Sequence, residues 1–513
     1  MKTRFLITGL VLFTGVLHAQ EPADALRFSY TVPGGTARHQ AIGGAMGSLG
    51  GDITATFVNP AGLAFYRTGD VVLTPRFQFG NNRATYLSNT EKESSNKFTW
   101  GTSGFVAGSG SNRKGRNVAI SLAYNRSADF NSNVFYQGGN SRTSFSQRYL
   151  EELANSGVRD SSAAFKFPLG PSLAINTYWI DPVKNSDGQV TGFETNAPLA
   201  TGVNQEHQIE SRGGIDEFAL GVGVSASDKL MLGGTIGVPV LHYRKETRFV
   251  EEDVLDDPTN GFDFASIEDK LNTKGVGINA KLGLIYKPVE YVRLGLAFHT
   301  PTVYTLDDNY EVALTTSTEG SQGMLTDYSA DYNDDQPNRT SYLLVTPYRA
   351  IVSASYVLRE IEDVTRQRGF ITADIEYVNY KAAAFHTDEE ETGFSDNLAE
   401  DYFKNLNTAI DNAYRSTFNF RVGGELKFTT LMVRAGAAYY GNPYKNINGE
   451  KGSRMNLSGG LGYRNKGLFI DLTYVHALAR DVHFAYRLQN TAYEGARIRS
   501  GMGNVLATFG FKF

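Results

Sequence analysis

The chain ends G-N-V-L-A-T-F-G-F-K-F over residues 503–513, and the alternation in that stretch decides the fold. Val505, Ala507, Phe509, Phe511 and Phe513 share one parity, while Asn504, Thr508, Gly510 and Lys512 share the other. Successive side chains of a strand point to opposite faces, so this is a strand with one apolar face. A closing strand of a barrel in lipid needs that arrangement, with apolar groups outward and small or polar groups inward.

The pattern repeats upstream. Apolar parities recur over residues 71–79, 98–106, 118–124, 218–224, 230–238, 276–286, 292–298, 350–356, 371–377, 418–428, 431–439, 455–463 and 468–474, which with the terminal strand makes fourteen. Their connections alternate. Long ones are expected at 81–96, 127–212, 247–273, 306–339, 381–416, 442–453 and 479–501, and tight turns at Ser227-Asp228, 288–290, Thr429-Thr430 and Asn465-Lys466. Long loops on one side and short turns on the other are the mark of a membrane barrel, and a two-sheet sandwich has no reason to produce them. The expectation is an all-β protein, a 14-stranded antiparallel transmembrane β-barrel with both ends on the periplasmic side.

The opposite parities carry Arg76, Gln78, Asn117, Glu217, Lys281, Arg293, Asp374, Glu376, Arg421, Glu425, Arg434 and Asp471. A charge facing hydrocarbon at mid-depth costs about 2–4 kcal/mol, so these residues are expected to face the lumen, where opposite charges pair.

Composition agrees. After residue 20 no apolar run approaches the roughly 18 residues a spanning helix needs, whereas 54 glycines, 28 tyrosines and 32 phenylalanines suit a barrel's lumen and its interfaces. Lys2 and Arg4 precede an apolar run over residues 5–17, then Leu17-His18-Ala19, which predicts a signal peptide at 1–19 with cleavage after Ala19. The net charge of −5 becomes more negative once those two cations leave, and nothing favours nucleic acid. With no cysteine, lipid anchoring, disulfides and thiolate metal sites are excluded together.

Fourteen strands enclose a bore wider than side chains alone can fill, so something must plug it. Residues 20–68 are not strand-like, are punctuated by glycine, and precede the first strand, which makes them the expected N-terminal hatch, with 69–513 the barrel. Gly43-Gly44-Ala45, Asp52 and then Asn59-Pro60-Ala61-Gly62-Leu63 resemble the hatch of the FadL/TodX family of outer-membrane transporters. Residues 294–301 and 347–356 extend the resemblance along the chain. It implies a passive channel for long-chain fatty acids or aromatic hydrocarbons, gated by the hatch, with lateral release into the bilayer. Release sideways suits such cargo: each buried methylene gains about 0.8 kcal/mol, which release into water would forfeit.

Two loop stretches read as amphipathic helices. Residues 146–156 place Tyr149 and Leu153 on one face, and residues after a Ser395 cap place Leu398, Tyr402, Leu406 and Ile410 at intervals of four with Phe403 alongside. Either the two pack on each other or they form the apolar capture groove that the resemblance implies. Arg293, Arg421 and Arg434 are candidate contacts for a ligand carboxylate, against a plain scaffolding role. Pro239 cannot donate to a strand ladder and marks a candidate lateral gate, against a simple bend. The expected partners are a hydrophobic small molecule, outer-membrane lipid and lipopolysaccharide, and the barrel-assembly machinery through the strand ending at Phe513, with the protein a monomer. No cofactor, metal site or catalytic constellation is expected, since the acidic stretches 181–187 and 256–263 lack EF-hand spacing. The alternative is a surface binding protein, an adhesin or a haem receptor using His476 and His483.

Overall fold

The computed structural model describes residues 20–30, 34–110, 117–255, 259–318, 323–358, 368–388, 397–445 and 452–513. The expected leader, most of the turn at 108–115, part of the 256–263 acidic stretch, Ser395 and the Leu398 side chain lie outside the described residues.

Fourteen antiparallel strands close on themselves. β1 comprises Asp70–Leu73 and Pro75–Tyr86, β2 Asn89–Trp100 and Ser103–Ser109, and β3 Val118–Asp129 and Ser132–Asn140. Next come β4 (Val203–Ser225), β5 (Leu230–Asp253), β6 (Phe264–Val289) and β7 (Val292–His299 and Val303–Thr318). β8 is Asn338–Val345 and Arg349–Leu358, β9 Gly369–Asn379 and Ala384–Thr387, and β10 Ser416–Phe428. β11 (Leu431–Tyr440), β12 (Arg454–Asn465), β13 (Leu468–His483) and β14 (Ala496–Lys512) complete the wall. Closure runs through the terminal strand, with Leu472 opposite Ala507 on β13 and both Val71 and Phe77 of β1 opposite Phe511 and Val505.

The parity expected from the sequence is the parity observed. Leu122, Ile236 and Leu461 are each about 60% exposed on the outer face, a burial pattern that only lipid makes favourable. Asp374, Glu376, Arg421, Arg434 and Asp471 turn inward and are buried.

The expected outer loops are shorter than the apolar pattern suggested. The 81–96 stretch is not a loop: β1 and β2 run on to a two-residue turn at Leu87-Ser88, both with positive φ, as a tight hairpin requires. Likewise β3 reaches Asn140 and β4 starts at Val203 within the expected loop 127–212. β5 and β6 run into 247–273, β7 into 306–339, and β13 and β14 into 479–501. The physical reason is that the apolar outer face ends where lipid ends, while the hydrogen-bond ladder continues above the membrane with polar residues outward and apolar ones such as Val134, Ile209, Phe249 and Ile267 buried inward.

The N-terminal segment lies inside the bore. α1 (Pro22–Ser29) sits in its upper part, and residues 34–66 form a buried floor containing α2 (Ala37–Ala41), α3 (Ala55–Val58) and a 3-10 turn at Pro60–Phe65. The floor touches the wall backbone to backbone. Built Cβ atoms at Gly436 and Gly423 would collide with the Gly43 and Ile42 backbone, and one at Gly295 with that of Gly47. Glycine at these inward positions is therefore a condition of the plugged bore. Hydrogen bonds then fix it: Met46 N and Gly47 N each donate to Asp374 at 3.0 Å, Ala37 N donates to Thr508 Oγ1 at 2.7 Å, and Thr473 Oγ1 donates to Ala37 O at 2.7 Å. Gly436→Val should displace the floor without opening the cylinder. The expected result is higher single-channel conductance in planar bilayers with unchanged heat-modifiable migration on gels, and unchanged conductance would contradict the contact.

Candidate functional site

The Asn59-Pro60-Ala61-Gly62-Leu63 stretch forms the floor's attachment point. Pro60 opens the 3-10 turn, and Asn59 Oδ1 caps it by accepting from Ala61 N at 3.1 Å. Asn59 Nδ2 faces three carbonyls: Gly47 O within the hatch at 2.5 Å, Leu284 O on β6 at 3.3 Å and Leu296 O on β7 at 3.2 Å. Only a short side chain carrying both donor and acceptor can serve all these groups, and a Cβ at Gly283 would collide with it. Leu63 is fully buried with Ile53, Ala119 and Ala219.

The three candidate arginines part company. Arg293 Nη1 donates to Leu49 O at 2.8 Å and its guanidinium lies 4.7 Å over the Phe65 ring, so it clamps the hatch. Arg434 pairs with Glu425 at 2.6 Å and Asp471 across the wall below the floor. Arg421 pairs with Glu376 at 2.8 Å, leaves Nε and Nη1 without hydrogen-bond partners, and lines a chamber of about 100 Å³ between the floor and α1. Lys281, Glu217, His299, Arg349 and Pro239 line the same chamber.

Above the chamber the bore is mainly aromatic, with the Asp24–Arg27 pair of α1 and a buried Asp308 among the rings. Phe28 of α1 meets Phe130 and Tyr243 edge-on at 5.8 Å, and Tyr30 stacks on Tyr380 at 5.9 Å. A long loop helix, α5 (Asn397–Ala413), turns Phe403, Leu406 and Ile410 down into this cluster. The hydroxyls of its Tyr402 and of Tyr414, just beyond its end, donate to Gln20 O and Pro22 O at 2.8 and 2.9 Å. The other loop helix, α4 (Ser146–Ser156), buries Tyr149 and Leu153 in a separate cluster with Trp179. The two helices therefore do not pack on each other: α5 covers the bore through α1, and α4 closes a cluster of its own.

Pro239 interrupts the ladder as expected, but narrowly. Pairing of β5 with β6 skips Val238 and Pro239 and resumes at Val240 in the same register, while pairing with β4 continues through Pro239. A longer interruption lies elsewhere. β2 and β3 pair from Ser109↔Val118 to Ser103↔Tyr124; beyond, residues 89–100 pair only with β1 and residues 125–140 only with β4. The hatch fills the foot of this seam: Thr102 N donates to Gly35 O at 3.2 Å, and Gly34 abuts Asn125. Sequence reasoning missed it because alternation stays regular on both strands. The sequence signal is Gly101-Thr102, and the structure adds a bulge at residues 126–128.

His476 and His483 do not form a haem site. His476 lies on the outer face against the Tyr474 hydroxyl, whereas His483 is inside, where the Tyr136 hydroxyl lies between its Nδ1 at 3.1 Å and that of His207 at 2.8 Å. Beside them Glu251 accepts from Ser144 Oγ, from Phe145 N at 2.7 Å and from Gln205 Nε2 at 2.7 Å, seating α4. These groups lie above the membrane on the strand extensions.

Two outcomes follow. Asn59→Ala removes the acceptor of Ala61 N and the donor shared by three carbonyls, and should loosen hatch docking by roughly 3 kcal/mol, read as faster amide exchange over residues 34–66 with β-barrel exchange unchanged. The second concerns pH. Burial pushes Glu251 up to about 7 from 4.5, so its contribution to stability is lost as pH rises across that interval. Burial holds His207 well below 6.5 and, with Lys245, His483 down to about 3, so their contribution is lost as pH falls from 6.5. Relative to wild type, Glu251→Gln should melt progressively higher as pH rises towards 7, and the His207→Asn, His483→Asn protein progressively higher as pH falls below 6.5. Parallel melting curves would refute both assignments.

A family model described as outer membrane protein transport protein (OMPP1/FadL/TodX) matches residues 215–512. The fold is similar to that of a Pseudomonas aeruginosa FadL homologue at 14% identity, over 94% of this chain and 100% of that one, with a TM-score of 0.53. It is similar also to the P. putida toluene transporter TodX (13% identity, 94% and 99%, 0.52) and the Ralstonia pickettii toluene transporter TbuX (14%, 94% and 99%, 0.50). No curated protein sequence matches significantly. The chain belongs to the OMPP1/FadL/TodX family of outer-membrane transport proteins, as a β-barrel of a Gram-negative outer membrane.

Proposed function

We propose that the protein takes up hydrophobic small molecules, fatty acids or aromatic hydrocarbons, by passive diffusion, and releases them sideways through the seam between β2 and β3. The observation that carries this reading is the coincidence of a closed floor and an open ladder. Below the chamber the hatch is joined to the wall by buried hydrogen bonds through Asn59, Asp374 and Thr508, whereas beside it the wall lacks strand pairing from Thr102 and Asn125 outward. Above, the aromatic sleeve around α1 and α5 offers apolar cargo a dry path. Arg421, with two unpartnered nitrogens at the chamber, is a suitable end point for a carboxylate.

On this reading a small shift of residues 34–35 opens the seam while the floor stays shut. The chain has no native cysteine, so Gly34→Cys with Asn125→Cys can lock the seam cleanly. Oxidation should abolish uptake of labelled fatty acid or toluene into cells, and reduction should restore it. Undiminished uptake in the fully oxidised double variant would sink the lateral route. Absence of uptake of either cargo by wild type would favour a surface binding role.

A further inference from the structure

Four cations stand in a single row across adjacent strands on the outside of the barrel. Lys92 of β2 is directly opposite Arg83 of β1, Arg83 opposite Arg499 of β14, and Arg499 opposite Arg480 of β13. All four are exposed and share the outward parity of Phe98, Phe77, Val505 and Leu472. Arg497 adds a fifth charge two residues further along β14. Neighbouring strands are about 4.8 Å apart, so the row is about 14 Å long.

Its height is set by the strand. Arg499 lies twelve residues beyond Phe511 on the same face, about 40 Å along the strand and about 30 Å along the membrane normal at a tilt of ~40°. That is just beyond the apolar band, whose upper edge here is the exposed Leu478 of β13, above the stacked pair Phe79 and Tyr474, 6.3 Å apart. The row therefore lies at the outer headgroups.

Like charges placed directly opposite on a sheet repel, and elsewhere on this barrel they are neutralised. On β4 to β8 the outward cations have acids: Arg212 with Glu210, Arg244 with Glu246, Arg248 with Glu268 at 3.5 Å, and Arg339 with Asp307 at 3.4 Å. At the row, among the described residues, the outward positions of β13, β14, β1 and β2 above the aromatic pair carry no acid. The missing counter-charge must come from outside the chain.

We propose that this row binds the phosphates of an outer-leaflet glycolipid, a phosphorylated disaccharide of the lipid A type, laid across β13, β14, β1 and β2. Guanidinium groups favour bidentate contact with phosphate, and a linear row suits a headgroup bearing a phosphate at each end.

The test uses the full-length protein and a variant with Arg83→Gln, Arg480→Gln and Arg499→Gln, all exposed and outside the bore. Native mass spectrometry from detergent with bisphosphorylated lipid A should show retained lipid on wild type, and roughly tenfold less on the variant, as loss of even one strong charge-assisted contact would produce. Melting supplies a second reading with a change of sign. In a neutral detergent alone the variant should melt higher than wild type, because repulsion is relieved, and with lipid A it should melt lower. Equal retention by variant and wild type overturns the proposal. So does equal retention by wild type of phosphatidylglycerol or of lipid A stripped of phosphate. Protection by inorganic phosphate at the same concentration also overturns it, since it would mark a site for free anions.

Discussion

The structure depends on how closely two backbones approach inside the barrel. The hatch does not touch the wall through side chains at its tightest points; it lies on it where glycine leaves room, at Gly233, Gly295, Gly423 and Gly436. That proximity lets Asn59 reach carbonyls on β6 and β7, and lets Asp374 receive two hatch amides. A side chain at any of those positions would push the floor away and break the bonds that hold it. Glycine is entropically costly in a strand, but here the alternative is an unplugged bore.

Around that floor, charge is sorted by depth. Below it, Arg434 joins Glu425 and Asp471, with Arg38 of the hatch 3.4 Å from the same glutamate. Beside it, Arg421 and Glu376 are paired in the chamber wall, and Lys281 and Glu217 likewise. Above it, rings dominate, with the Asp24–Arg27 pair of α1 and a buried Asp308 set among them. The bore thus changes from aromatic to ionic along its length, and apolar cargo moving inward meets a rising desolvation cost on the direct path.

Much of this was legible in the sequence because lipid imposes a strict rule on strands. Fourteen parities, the direction of each, and the inward placement of a dozen polar residues follow from period-two alternation alone. The rule stops at the membrane surface, which is why the hairpin through Leu87-Ser88 reads as a loop in the sequence although it is strand on both sides. Roles inside the bore were less legible. Arg293, Arg421 and Arg434 look alike in sequence, yet one clamps the hatch, one lines the chamber and one binds two acids. What separates them is which partner lies across the lumen, and that is fixed by residues hundreds of positions away. The seam between β2 and β3 left almost no trace for the same reason: ladder pairing is a property of two strands and is not visible in either.

One further consequence concerns biogenesis. Ala37, among the first residues of the hatch, is bonded to Thr473 and Thr508 on the last two strands, and Gly69 N donates to Phe513 O at 2.9 Å. The oldest and youngest parts of the polypeptide therefore meet at one place. Because the plug is tethered to β1 and bonded to β13 and β14, its contacts at Ala37 are complete only once those last two strands are in place. Wall closure and plug seating therefore draw on the same two strands, so the last part of the chain to be made completes both.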